Sequence, residues 1–88
     1  MGVTGRAKLA VRVWRQGESL DVHLATLGPE RSQGNTLFLG MHLVGAARKA
    51  RFQPADGGEV SIRLNPSGYS VSTILPSFAG YAVLSVEK

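Results

Sequence analysis

Cysteine is absent from the chain, which removes disulfides, thiolate metal sites and a cysteine nucleophile at once. Charged residues are scarce, 18% against the usual ~25%. Apolar residues make up 43%, the balance of a folded chain rather than a disordered one. Only one tryptophan is present, so an aromatic binding platform has few residues to draw on. Long hydrophobic runs are also missing. No apolar stretch follows residues 1–6, so the start does not read as a signal peptide. Arg6 stands where a myristoylation signal needs Ser or Thr. The longest apolar stretch, residues 37–47, is broken by His42 and Gly45 and falls short of the ~20 residues of a membrane helix. The expectation is one soluble domain over residues 1–88. A domain of this size buries roughly 60–70% of its unfolded surface and has little room for a deep catalytic cleft.

Punctuation and alternation are what the chain has in quantity. Eleven glycines and four prolines separate short segments, and apolar residues recur with the period of two that marks strands. Leu9, Val11 and Val13 alternate with Ala10, Arg12 and Trp14, and Leu20, Val22 and Leu24 alternate with Asp21 and His23. With Gln16-Gly17 as a two-residue turn, the pattern predicts a hairpin that pairs Val13 with Leu20, Val11 with Val22 and Leu9 with Leu24. Its other face then pairs Arg12 with Asp21, Trp14 with Ser19 and Ala10 with His23, and Arg15 meets Glu18 beside the turn. A slip of one residue would turn the apolar set outward, so face and register are linked.

A second hairpin follows from Val60, Ile62 and Leu64, with Asn65-Pro66-Ser67-Gly68 as its turn. Leu64 then faces Tyr69, Ile62 faces Val71 and Val60 faces Thr73. Residues 37–44 are apolar on both parities and read as a central strand covered on both sides. Residues 50–53 alternate as a strand, although good helix formers over 44–50 could make a helical turn instead. Residues 81–86 form a closing strand, and the polar stretch 28–35 reads as a mobile loop. About seven short strands predict an all-β fold, an antiparallel β-sandwich, with a small barrel as the alternative.

Two segments carry a resemblance. Arg15-Gln16-Gly17-Glu18-Ser19-Leu20-Asp21-Val22-His23-Leu24-Ala25-Thr26-Leu27 resembles the hairpin that opens the C-terminal β-sandwich of fucosidase- and β-galactosidase-type glycoside hydrolases, with its V-H-L-x-x-L strand. Ile74-Leu75-Pro76-Ser77-Phe78-Ala79-Gly80-Tyr81-Ala82-Val83-Leu84-Ser85-Val86-Glu87 is similar to the closing strand of that module, and residues 58–72 fit its preceding hairpin in order and spacing. The chain departs from the family where Ala25 and Thr26 replace its usual asparagine. The resemblance implies a non-catalytic accessory domain that packs on a catalytic domain or protomer of a glycoside hydrolase, or contacts carbohydrate. It carries over no catalytic residue, because the family's catalytic carboxylates lie on a barrel outside this module. The run from Lys8 to Leu24, with Arg15-x-Gly17, also resembles the last hairpin of PDZ domains in periplasmic proteases. That likeness implies a peptide-binding module, but no carboxylate-binding loop or Pro-Gly-Asp turn follows.

The residues themselves offer little chemistry. Acid–base catalysis needs two carboxylates held across a substrate. Glu18, Glu30, Asp56 and Glu59 fall at turns or loops, and Asp21 has Arg12 as its expected partner. Asp21 and His23 could supply two metal ligands from one strand face, with no third in sight, and His42 reads as packed. No cofactor motif is present: the glycines lack the spacing of a phosphate-binding loop. Trp14 is the feature that stands out. Its parity places it with Arg12, away from the apolar face, where a tryptophan stacks on a sugar ring, plugs a partner surface or packs under a loop. Phe78 and Tyr81 read as packing residues. The candidate binding face is therefore Trp14, Arg12, Asp21 and His23.

The net charge of +4 keeps nucleic acid in view as an alternative partner, through a basic small β-barrel. Arg48, Lys49 and Arg51 cluster, and Arg6, Lys8, Arg12 and Arg15 surround the first long strand. Only Trp14 and Phe52 stand among these cations as stacking partners.

Overall fold

A computed structural model describes residues 2–4, 8–16, 19–28, 34–45 and 47–87. The fold is all-β, two antiparallel sheets facing each other across one core. The five-stranded sheet holds β2 (Leu9–Gln16), β3 (Ser19–Thr26), β5 (Lys49–Pro54), β6 (Val60–Arg63) and β9 (Tyr81–Glu87), in the order β2-β3-β9-β5-β6. The four-stranded sheet holds β1 (Gly2–Thr4), β4 (Thr36–Gly40), β7 (Asn65–Ser67) and β8 (Ser70–Ile74), in the order β1-β4-β8-β7. Both sheets end in open edges among the described residues, so the architecture is a sandwich and not the alternative closed barrel. No helix among the described residues is long and apolar enough to cross a membrane.

Period-two alternation builds the core. On β3 the residues Leu20, Val22 and Leu24 are buried, and on β9 Ala82, Leu84 and Val86 are, while their neighbours face out. Strand β5 alternates through Ala50, Phe52 and Pro54, all buried. Leu37, Leu39 and Val71 close the core from the other sheet. Strand β9, the last in the chain, lies between β3 and β5 and is bonded to both. The closing segment is therefore the centre of its sheet.

Several expectations need correction. The first hairpin forms with its expected faces, but Leu9 pairs with Thr26, Val11 with Leu24, Val13 with Val22 and Arg15 with Leu20. Gln16, expected in the turn, pairs with Ser19 within the ladder, and the expected Arg15–Glu18 contact falls on Glu18, outside the described residues. The shift of two residues keeps every side chain on its expected face, which is why the pattern could not distinguish the two registers. On the outer face Arg12 now opposes His23, Trp14 opposes Asp21 and Ala10 opposes Ala25.

The second hairpin is not the expected one. Val60–Arg63 joins the five-stranded sheet beside β5, and Ser70–Ile74 lies in the other sheet. Leu64, 1% exposed, is the point where the chain passes from one sheet to the other. The hairpin that does form joins β7 to β8, with Pro66 opposite Val71 and Gly68-Tyr69 as the turn. Pro66, which has no N–H to donate, sits on an edge strand, where a missing donor is tolerated.

The doubly apolar run over 37–44 is not one covered strand. Strand β4 ends at Gly40, with Phe38 on its outer face at 37% exposure, and Met41–Val44 form the one-turn helix α1. The helical turn therefore precedes the 44–50 stretch proposed for it. Gly45 stops it, with φ 63° and ψ −133°, a backbone conformation that suits glycine alone. His42, expected to be packed, is exposed to solvent, with its ring lying over Gly40.

The polar stretch 28–35 falls largely outside the described residues, but its end is not a mobile surface segment. Asn35 is fully buried, and its carbonyl accepts the Leu75 N–H at 2.7 Å.

Candidate functional site

Three adjacent strands, β2, β3 and β9, present the outer face of the five-stranded sheet. Three rows of side chains cross it. Trp14 on β2 faces Asp21 on β3, Arg12 faces His23, and Ala10 faces Ala25, which in turn faces Tyr81 on β9. The two alanines form a low floor between taller neighbours, and the result is an open trough of about 710 Å³. Trp14, Arg12, Asp21, His23 and Tyr81 all line it. Each expected site residue therefore lies in one depression, although the pairing between them differs from the expected one.

Strand geometry sets the scale. Trp14 and Tyr81 stand two strands and four residues apart. With strands ~4.8 Å apart and a rise of ~3.3 Å per residue, their Cα atoms are separated by roughly 16 Å. Trp14 is 57% exposed and Tyr81 42% exposed. Trp14 thus does not pack under a loop, while Tyr81, read as a packing residue, joins the site. Phe78 does pack: it is fully buried, its ring centroid 5.7 Å from that of Phe52 at an edge-to-face angle of 63°.

Tyr81 is held in place by His23. The Tyr81 hydroxyl and His23 Nδ1 are hydrogen-bonded, and the two rings lie 5.8 Å apart at 45°. This ties β9 to β3 on the solvent side and orients both rings along one wall of the trough. Arg12, freed from the expected pairing with Asp21 by the register shift, stands beside it in the middle row. The trough therefore combines two aromatic faces with a guanidinium, a carboxylate and an imidazole. No group of three or more His, Asp or Glu side chains converges among the described residues to hold a metal ion.

The other basic cluster is differently placed. Phe52, expected as a stacking partner there, is a core residue. Arg48 Nη1 donates to the carbonyls of Gly45 and Ala47 at 3.1 and 2.7 Å. Arg51 Nη1 lies 3.6 Å from Glu59 Oε1. Arg6 lies outside the described residues.

Sequence reasoning missed Tyr81, Ala10 and Ala25 as site residues. The odd parity of Tyr81 on the closing strand was a signal that it faces outward with Val83 and Ser85. Its place beside His23 depends on which strands are neighbours, and local alternation does not encode that. No known family model and no curated protein sequence matches the chain.

Proposed function

We propose that this domain is a non-catalytic accessory module that contacts carbohydrate through the outer face of β2, β3 and β9, working alongside the catalytic domain of a glycoside hydrolase. The observation that carries the reading is the trough itself, with aromatic rings at both ends and hydrogen-bonding groups between them. A sugar ring has an apolar C–H face and a hydroxyl-bearing rim. The first stacks on indole or phenol, and the hydroxyls of the second accept hydrogen bonds from guanidinium and imidazole N–H groups and donate them to carboxylate. The openness and length of the trough suit a short oligosaccharide better than one enclosed ring. The resemblance to the glycoside hydrolase module supports the same reading.

Nucleic acid is the weaker alternative. The cations at 48 and 51 are engaged locally, and their aromatic neighbour is buried. A PDZ-like groove needs a helix beside the peptide-binding strand, and the helix found among the described residues is a single turn following β4.

Trp14, the sole tryptophan, makes the test direct. Titration with galactose- and fucose-terminated oligosaccharides should shift its fluorescence. Trp14→Ala should abolish binding, followed by calorimetry, and leave the far-ultraviolet circular dichroism unchanged. Retained binding in the variant sinks the proposal. Unfolding of the variant would assign Trp14 to the core and sink it equally. Retention on immobilised single-stranded DNA at low salt, with no sugar response, would favour the nucleic-acid alternative.

A further inference from the structure

Strand β2 is the outermost strand of the five-stranded sheet among the described residues, and at eight residues it is as long as any strand in the molecule. Its pairing decides which backbone groups it leaves open. The Leu27 N–H donates to the Lys8 carbonyl at 3.0 Å, so position 8 faces 27 as a hydrogen-bonded pair. Antiparallel pairing alternates, so residues 10, 12 and 14 also turn their backbone groups toward β3. Leu9, Val11, Val13 and Arg15 therefore aim their N–H and C=O groups away from the sheet. The side chains of Leu9, Val11 and Val13 stand perpendicular to that ladder, on the face toward the sandwich interior, and are only partly buried against its core. An open backbone ladder thus runs beside a half-covered apolar stripe.

Charge narrows what can pair there. Residues 8–16 carry Lys8, Arg12 and Arg15 and no acid. A second copy adding through β2 about a two-fold axis centred at or next to Arg12, the register that pairs most of the strand, would bring Arg12 against Arg12, directly or diagonally, and a register displaced toward the start of the strand would bring Arg12 against Lys8. Like charges at such places oppose self-pairing, a recognised protection of open edges. An extended acidic segment meets no such penalty. Its alternate apolar side chains would extend the cover over Leu9, Val11 and Val13, its alternate carboxylates would face Lys8 and Arg12, and Arg15 would add to the positive field near the end of the strand.

We propose that the free edge of β2 accepts an extended acidic segment of a partner polypeptide by antiparallel strand addition. This surface borders the trough and shares Arg12 with it, but it does not rest on the sugar reading, because strand addition uses the outward backbone groups of Leu9, Val11, Val13 and Arg15.

Amide NMR with a synthetic peptide of alternating valine and glutamate tests the idea. In the free protein the amides of Leu9, Val11, Val13 and Arg15 should exchange rapidly, and the peptide should slow them. The double variant Lys8→Glu, Arg15→Glu should weaken this peptide by about tenfold and take up an alternating valine–lysine peptide instead. Val11→Pro removes an outward donor without touching the bonds to β3, and should abolish addition. The charge-reversal variant keeps the backbone unchanged, so the test survives if the proline variant fails to fold. Three results would overturn the proposal: slow exchange of those amides in the free protein, a dimer through β2 in sedimentation, or peptide shifts that leave the odd-numbered amides unmoved.

Discussion

Ala10 and Ala25 stand directly opposite each other across β2 and β3, and both line the trough. Ala25→Phe should fill the floor beside Tyr81, at the end of the trough away from Trp14. The side chain projects toward solvent, so the substitution creates no clash in the core and places a good strand former on a sheet. Stability should change by less than about 1 kcal/mol in urea denaturation. The Trp14 fluorescence response to oligosaccharide should disappear. A variant that keeps the full response would show that the sugar does not enter the trough.

The hydrogen bond between Tyr81 and His23 makes a second prediction. If the Tyr81 hydroxyl donates to His23 Nδ1, the imidazole proton sits on Nε2. Nitrogen-15 chemical shifts of the His23 ring should report that tautomer. Tyr81→Phe removes the donor, so the tautomers should mix. Stability should fall by about 0.5–1.5 kcal/mol, the usual net worth of one hydrogen bond. An unchanged tautomer in the variant would mean that Tyr81 does not orient the ring.

The sheets were legible because alternation reports which way a side chain points. Leu20, Val22 and Leu24, the buried set of β5, and Trp14 on the outer face of β2 all follow from parity alone. Parity does not report which strand is the neighbour. A two-residue shift leaves every face unchanged, so Arg12 was matched with Asp21 when it opposes His23. The same blindness joined Val60–Arg63 to Ser70–Ile74, although Leu64 carries the chain into the other sheet between them. The apolar run over 37–44 failed for a different reason. It combines a one-sided strand with a helical turn, and the two periods together resemble a strand buried on both faces. The candidate site was half visible for the same cause: Trp14, Arg12, Asp21 and His23 share one hairpin, while Tyr81 arrives from 58 residues beyond His23.

Phe78 belongs to the connection between β8 and β9, yet it is fully buried against Phe52 of β5. Phe78→Ala should cost about 3–5 kcal/mol, the range for deleting a buried aromatic ring. In a domain of this size that is a large share of the total stability. A double-mutant cycle with Phe52→Leu and Phe78→Leu should return a coupling of about 0.5–1.5 kcal/mol, from their edge-to-face geometry. A coupling of zero would show that the two rings contribute only by their buried area.

The β7–β8 turn rests on the backbone of Gly68. Its φ is +62°, while Tyr69 beside it has no positive φ. One left-handed residue in the first turn position is the type II′ pattern, whose twist matches that of the paired strands. Nothing lies within 4 Å of where a Cβ at Gly68 would be, so any penalty there is conformational and not steric. The turn also matters beyond the hairpin, because the Tyr69 carbonyl accepts the Met41 N–H at 2.8 Å and so holds the start of α1. Gly68→Ala should therefore destabilise the domain by about 1–2 kcal/mol. D-alanine at the same position, introduced by chemical synthesis, favours positive φ and should stabilise instead, by about 0.4–1 kcal/mol, by restricting the unfolded chain. Equal denaturation midpoints for the L- and D-alanine proteins would show that Gly68 does not hold this conformation in solution.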